Sequence, residues 1–280
     1  MPTQRDSEPP SPVRSHVCRG FRRRAGFAVH AREYLADGLA AGERVLYVAP
    51  GDEASLTARL RADGRFDEGF RRGAVRVSSV DSTYTTGTVV DPAGQVGRYA
   101  TATAEALAAG FAGLRVAADA TSLVRTPAQL DAFARYEHLV DRFMAANPMS
   151  AMCGYDLDEL SDEVVAQLAC MHPAAHEGAT PFHLHGHARA GNVAALAGEL
   201  DTAVGRLWPL ALERADLRSA GEPVAIDAAG LAFIDHRSLF DVADYAERHD
   251  TTVVLRTRLT TPGRLLELFG LPGVRVERVS

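Results

Sequence analysis

The stretch Gly42-Glu-Arg-Val-Leu-Tyr-Val-Ala-Pro-Gly51 decides the fold. Its apolar run from Arg44 to Ala49 is short and rich in β-branched and aromatic side chains, and it reads as a buried strand. Upstream, Phe27, Tyr34, Leu35 and Leu39 share one helical face, and Gly42 stops that helix before the strand begins. A helix feeding a strand that is apolar on both faces is the unit of a parallel sheet, because each parallel crossover needs a helix to return the chain.

The same rhythm continues downstream. The patterns predict a helix near 53–62, a strand near 75–80, a helix near 96–109 and a strand at 114–118. Pro127 opens a long helix to about Ala146, residues 150–155 form a further strand, and a helix follows near 161–171. The segment from His172-Pro173 to Thr180 interrupts the alternation, and a second α/β unit begins. There, 182–187 and 193–200 read as paired strands around a turn at Ala190-Gly191-Asn192, with a helix near 204–218 after them. Gly221-Glu222-Pro223 leads into a strand at 224–227, then a turn, a helix at 237–249, a strand at 253–256, a helix at 262–269 and a strand at 274–279. The expected organisation is a flexible tail over 1–14, an α/β domain over 15–175 and a smaller α/β domain over 180–280.

Composition narrows the function. The chain has 280 residues, 46% of them hydrophobic and 24% charged, which suits two folded domains. All 30 basic residues are arginine, so a Schiff base, a lysine base or a phosphate-loop lysine cannot be built. The net charge of −6 gives no field for a phosphate backbone, and direct nucleic-acid binding is not expected. Five arginines lie between Arg14 and Arg24, a run that reads first as solvated charge. Three scattered cysteines, no secretory leader and no long apolar span point to a cytoplasmic protein with no membrane partner.

The second unit resembles a STAS domain of the kind found in anti-sigma-factor antagonists. The likeness rests on Gly198-Glu-Leu-Asp201, on Ile226-Asp227-Ala-Ala-Gly-Leu-Ala-Phe-Ile-Asp235, and on Leu265-Leu-Glu-Leu-Phe-Gly-Leu271. It implies a small mixed sheet with helices on one side and an anti-sigma-factor kinase, or a related regulatory protein, as partner. The partner-binding residues carried over are Asp235, His236, Arg237 and Ser238. Family members continue Asp-Ser-Ser-Gly, with the second serine phosphorylated; here Arg237 stands at that position and Ser238 one residue later. A fixed positive charge there removes the usual phosphate switch. Ser238 itself reads as a helix N-cap or as a displaced phosphorylation site.

Residues from about Ser15 to Pro173 resemble the MEDS sensory domain. The likeness is carried by His16-Val-Cys18, Gly38-Leu-Ala-Ala-Gly-Glu43, Tyr84, Gly110-Phe-Ala-Gly-Leu-Arg-Val116, Cys153-Gly-Tyr-Asp156 and His172-Pro173. It implies a RecA-like, mostly parallel sheet with helices on both faces. Ala118-Asp119-Ala120 stands where relatives often carry Gly-Glu-Met.

Ligands of such sheets bind outside the carboxyl ends of the strands, which singles out Asp52, Tyr84, Asp119 and Tyr155. The phosphate loop is missing: Pro50-Gly-Asp-Glu-Ala-Ser-Leu-Thr57 has one glycine, two acids and no lysine. His16 and Cys18 suit a soft metal or an electrophile, and equally a buried structural pair. Asp119 fits a ligand contact or a cap. His183, His185 and His187 alternate along one strand, the pattern of a zinc face and also of any half-exposed strand. Cys153 and Cys170 read as core. No catalytic residue, metal site or cofactor is assigned. The expected function is a non-enzymatic regulator, in which a domain sensing a small molecule or redox signal through His16, Cys18, Asp52, Tyr84, Asp119 and Tyr155 controls a STAS domain. The alternatives are an ATPase or hydrolase using the RecA-like cleft, and a scaffold without a ligand.

Overall fold

A computed structural model describes residues 16–84, 87–187, 191–217 and 223–279. The expected tail over 1–14, part of the arginine run and parts of the turns near residues 190 and 221 lie outside them. The first unit runs β1 (His16–Phe21), α1 (Arg23–Ala40), β2 (Arg44–Ala49), α2 (Glu53–Arg61), α3 (Asp67–Arg71), β3 (Val75–Ser79) and α4 (Val80–Tyr84). It continues with α5 (Pro92–Ala108), β4 (Leu114–Asp119), α6 (Pro127–Ala146), β5 (Met149–Asp156), α7 (Asp162–Ala169) and the two-residue β6 (Ala174–Ala175). All six strands are parallel, in the order β3-β2-β4-β5-β1-β6.

Helices cover both faces of this sheet. On one, Phe27, Ala31 and Leu35 of α1 and Leu56 and Leu60 of α2 meet Val45, Tyr47 and Met152 in a core of their own. On the other, α5, α6 and α7 close over Val116, Ala118, Cys153 and Tyr155. The long α6 starts at a capping box between Thr126 and Gln129, with Pro127 in its first turn.

The second unit comprises β7 (Phe182–Gly186), β8 (Ala194–Leu200), α8 (Leu207–Ala215), β9 (Val224–Ile234), α9 (His236–Arg248), β10 (Val253–Thr257), α10 (Thr261–Phe269) and β11 (Val274–Arg278). Its sheet is mixed, in the order β11-β10-β9-β8-β7, and only the β7–β8 pair is antiparallel. The apolar core beneath α5–α7 runs on without a break to Phe182, Trp208, Ile226 and Leu239. α6 is the shared wall, because it also packs on β7 and α8.

Three local readings differ from the structure. The turn expected after Asp227 is strand: β9 runs to Ile234, shifting register against β8 around Ala197, where a Cβ on Gly230 would come within 2.9 Å of the Ala197 side chain. Small residues there mark a bulge, not a reversal. The helix expected over 204–218 begins only at Leu207, because Gly205 adopts φ 48°. β1, α3 and α4 carried no periodic signal of their own and were not expected. No described helix is long and apolar enough to cross a membrane.

Candidate functional site

β1 and β5 are neighbours, with His16, Cys18 and Gly20 opposite Ala151, Cys153 and Tyr155. The face they present to α6 is polar at its centre. Glu137 and Asp141 lie one turn apart on that helix, at positions its packing pattern assigns to the core, and Glu137 is 0% exposed. His16 uses both nitrogens: Nδ1–H donates to Asp141 Oδ1 and Nε2–H to Glu137 Oε2, each at 3.1 Å. Tyr155 donates to the other oxygen of Glu137 at 2.6 Å. His172, just beyond α7, donates from Nδ1 to the Leu168 carbonyl at 2.9 Å. Its Nε2 is buried, lacks a hydrogen-bond partner and lies 3.7 Å from Glu137 Oε2. Cys153 Sγ is 3.6 Å from Glu137 Oε2 and 3.8 Å from His16 Nε2. One ligating atom from each of His16, Glu137, Cys153 and His172 falls within 4.8 Å of the others, the one such grouping found among the described residues.

Electrostatics follow the geometry. Burial alone would depress the His16 imidazole, but its hydrogen bonds to Asp141 and Glu137, and their charges, raise it to about 9. Burial pushes the Glu137 carboxyl up; the nearby His172 and His16 and the Tyr155 hydroxyl outweigh it and hold the group below the usual glutamate range. Asp141 is likewise pushed up by burial and held low by His16 and His185. Burial, helped by the charge on His16, drives His172 down to about 4. Burial and Glu137 raise the Cys153 and Cys18 thiols well above their ordinary range. Both cysteines are reduced and buried, so neither offers a thiolate to solvent.

The cluster reaches the second sheet. His185 of β7 donates to Asp141 Oδ2 at 3.3 Å, and His183 donates to the His172 carbonyl at 2.7 Å. His187 lies instead 3.8 Å from Asp227. The three alternating histidines therefore serve separate partners and do not converge on a point of their own.

A second feature lies at the carboxyl ends of the strands, a cleft of about 380 Å³ lined by Phe27, Tyr47, Leu56, Arg32, Arg59 and Asp119. Asp119 closes β4. It lines the cleft and accepts from Thr121 N and Oγ1 at 3.2 and 2.7 Å, while burial raises its carboxyl. Asp52 is exposed and caps α2 through Ser55 N at 2.8 Å. Tyr84 is buried, shares a 2.7 Å hydrogen bond with Tyr99 and packs on Phe133 and Tyr136. Of the six sensory residues expected from sequence, His16, Cys18 and Tyr155 therefore meet around the cluster, Asp119 faces the cleft, and Asp52 and Tyr84 join neither. Glu137 and Asp141 were not foreseen, although two acids one turn apart on an apolar helix face are a readable signal.

In the second unit, Asp235 caps α9 through Ser238 N at 2.7 Å. Ser238 is thus not the cap; it lies in the first turn and is 2% exposed, while His236 and Arg237 face solvent.

The family described as MEDS, the MEthanogen/methylotroph, DcmR Sensory domain, matches residues 15–173. No curated protein matches the chain closely enough to count as a relative. The matched span holds His16, Glu137, Cys153 and His172, and the family's description makes the first sheet a sensory module with a role in signalling. The chain belongs to the MEDS family.

Proposed function

We propose that this protein is a non-enzymatic regulator in which the MEDS domain controls a STAS-like unit that binds an anti-sigma-factor kinase or a related regulatory protein. The observation that carries the reading is the position of Asp141. It holds His16 of the sensory strand on one oxygen and His185 of β7 on the other, so a change at the buried cluster bears directly on the edge strand of the second sheet.

The proposed contact surface is the start of α9 and the end of α10. His236 stacks on Phe269 with ring centroids 6.1 Å apart, Phe240 meets Phe269 edge-on at 5.1 Å, and Phe233, Leu268 and Phe269 are exposed. The linked rings of His236, Phe240 and Phe269, next to the exposed Arg237 at the start of α9, have the composition of a protein interface. Binding rather than turnover is favoured at the first sheet, because Asp52 already occupies the N-terminus of α2 with a negative charge where a nucleotide phosphate would sit.

Titration calorimetry of the full chain against purified anti-sigma-factor kinases of its host tests this reading. Phe269→Ser and Leu268→Asp should each weaken binding at least about tenfold, and Leu268→Asp should do so with an unchanged melting temperature, since Leu268 is 73% exposed. Absence of binding to every kinase tried, or affinity indifferent to both substitutions, would overturn it.

A further inference from the structure

From the geometry we infer that His16, Glu137, Cys153 and His172 form a four-coordinate site for a divalent transition-metal ion of the zinc class. This deepens the sensory reading, since it names what the buried cluster takes.

Separation is the first argument. Metal–nitrogen and metal–oxygen bonds of about 2.0–2.2 Å and a metal–sulfur bond of about 2.3 Å place tetrahedral ligand atoms roughly 3.3–3.8 Å apart. The pairs His16–Glu137, Glu137–Cys153, Glu137–His172 and His16–Cys153 stand at 3.1, 3.6, 3.7 and 3.8 Å, close to that range, and all four ligand atoms lie within 4.8 Å of one another.

Outer contacts are the second. A ligating histidine is usually oriented by an acceptor on its other nitrogen. His16 has Asp141 there, His172 has the Leu168 carbonyl, and Glu137 Oε1 is fixed by Tyr155. With its proton on Nδ1, His172 turns a bare Nε2 lone pair into a fully buried site, where no hydrogen bond satisfies it. A metal ion supplies the missing partner.

Charge is the third. Both nitrogens of His16 face carboxylates, so the metal-free cluster holds one imidazolium with Glu137 and Asp141. Loading forms bonds to His16 Nε2, Glu137 Oε2, Cys153 Sγ and His172 Nε2, and it releases the Nε2 proton of His16 and the thiol proton of Cys153 to solvent. Two positive charges enter as two leave. The buried net charge is therefore unchanged, which avoids the desolvation cost that usually opposes an ion in a closed core. A mixed imidazole, thiolate and carboxylate set suits zinc, cobalt or ferrous iron better than calcium or magnesium.

The full chain, stripped with a chelator in guanidinium and refolded with Co²⁺ or Zn²⁺, should retain one ion. The cobalt form should show intense tetrahedral visible bands and a thiolate charge-transfer band. Cys153→Ser should remove the charge-transfer band and Cys18→Ser keep it, and His172→Ala should weaken binding by about a hundredfold or more. X-ray absorption of the zinc-loaded wild type needs no variant, and should show one sulfur at about 2.3 Å with nitrogen or oxygen neighbours at about 2.0 Å. Refolded wild type that retains no metal, an absorption spectrum without sulfur, or a cobalt band lost with Cys18 and kept without Cys153 would each overturn the site. Failure here leaves the kinase-binding result standing, and failure of kinase binding leaves the cobalt spectrum standing.

Discussion

His16 on the first strand and His185 on the edge strand of the second sheet are held by the same carboxylate: Asp141 accepts from them at 3.1 and 3.3 Å. Asparagine at 141 offers one acceptor where two are needed and leaves the buried imidazolium half compensated. Breaking a buried ion pair from one side typically costs about 3–5 kcal/mol. Urea unfolding of the metal-free Asp141→Asn variant should therefore show a loss of that order. His185→Ala should lose only about 1 kcal/mol, because His185 is partly exposed and its removal leaves Asp141 still bonded to His16. Equal, small losses would mean that the carboxylate does not join the two sheets.

The junction is also fixed by a glycine. A Cβ on Gly186 of β7 would meet the backbone nitrogen of Arg142 in α6 at 2.5 Å, and backbone cannot move aside as a flexible side-chain tip can. Gly186→Ala should destabilise by about 2–3 kcal/mol, the cost of forcing an extra methyl into packed structure. Gly97, exposed in α5 with nothing within 4 Å of an added Cβ, is the control. Gly97→Ala should stabilise by about 0.5–1 kcal/mol through helix propensity. Melting temperatures should shift in opposite directions.

His176 sets a pH dependence away from the cluster. Its Nδ1 accepts a hydrogen bond from Gly20 N at 3.1 Å, which requires that nitrogen unprotonated, and burial with the charge of Arg19 lowers its pKa below 6.5. A group whose folded pKa is depressed below the unfolded one binds a proton more readily in the unfolded chain. Its contribution is complete above pH 6.5 and is lost as the pH falls through the window beneath that value. The side chain is only partly buried, so solvent screening should limit the effect to a few tenths of a kcal/mol. Comparing unfolding at pH 7.5 and 5 in wild type and His176→Leu isolates it. An identical pH slope in the two proteins would rule His176 out as its source.

The two sheets were legible because buried parallel strands write themselves as continuous apolar runs, such as 44–49 and 114–118, with helical faces between them. β9 was cut short because Asp227-Ala-Ala-Gly230 has the composition of a turn, and only its pairing with β8 shows that small residues were needed for close approach. The cluster was half legible. His16 and Tyr155 stood out as residue types with chemistry, but their partners are 121 and 18 residues from them, and that separation is crossed only when β1 and β5 pair and α6 lies over them. Cys153 looked like core because it sits in an apolar strand, which it does, beside a carboxylate no local pattern could place there.

Packing at the start of α9 bears on control by phosphorylation. Ser238 is 2% exposed; its N–H is held by Asp235 at 2.7 Å, its carbonyl accepts from Trp208 Nε1 at 3.0 Å, and its hydroxyl faces the Leu200 carbonyl at 3.5 Å. A kinase could reach that hydroxyl only by unwinding the first turn of α9, and a phosphate placed there would sit beside the Asp235 carboxylate in the core. Arg237, exposed one residue earlier, has no hydroxyl on which a serine kinase could place a phosphate ester. Incubation of the protein with a cognate anti-sigma-factor kinase and ATP should therefore leave Ser238 unmodified by mass spectrometry, and partner affinity should not depend on ATP. Arg237→Glu should weaken binding about tenfold or more by reversing a charge at the proposed contact surface. Trp208 is the only tryptophan in the chain, and its bond to the Ser238 carbonyl makes its fluorescence a direct reporter of this turn. Ser238→Asp should shift that emission and cost at least about 2 kcal/mol, because it buries an unpaired charge next to another of the same sign. Stoichiometric phosphate on Ser238 that releases the partner, with unaltered Trp208 emission, would show that the turn opens freely and that the switch is intact despite Arg237.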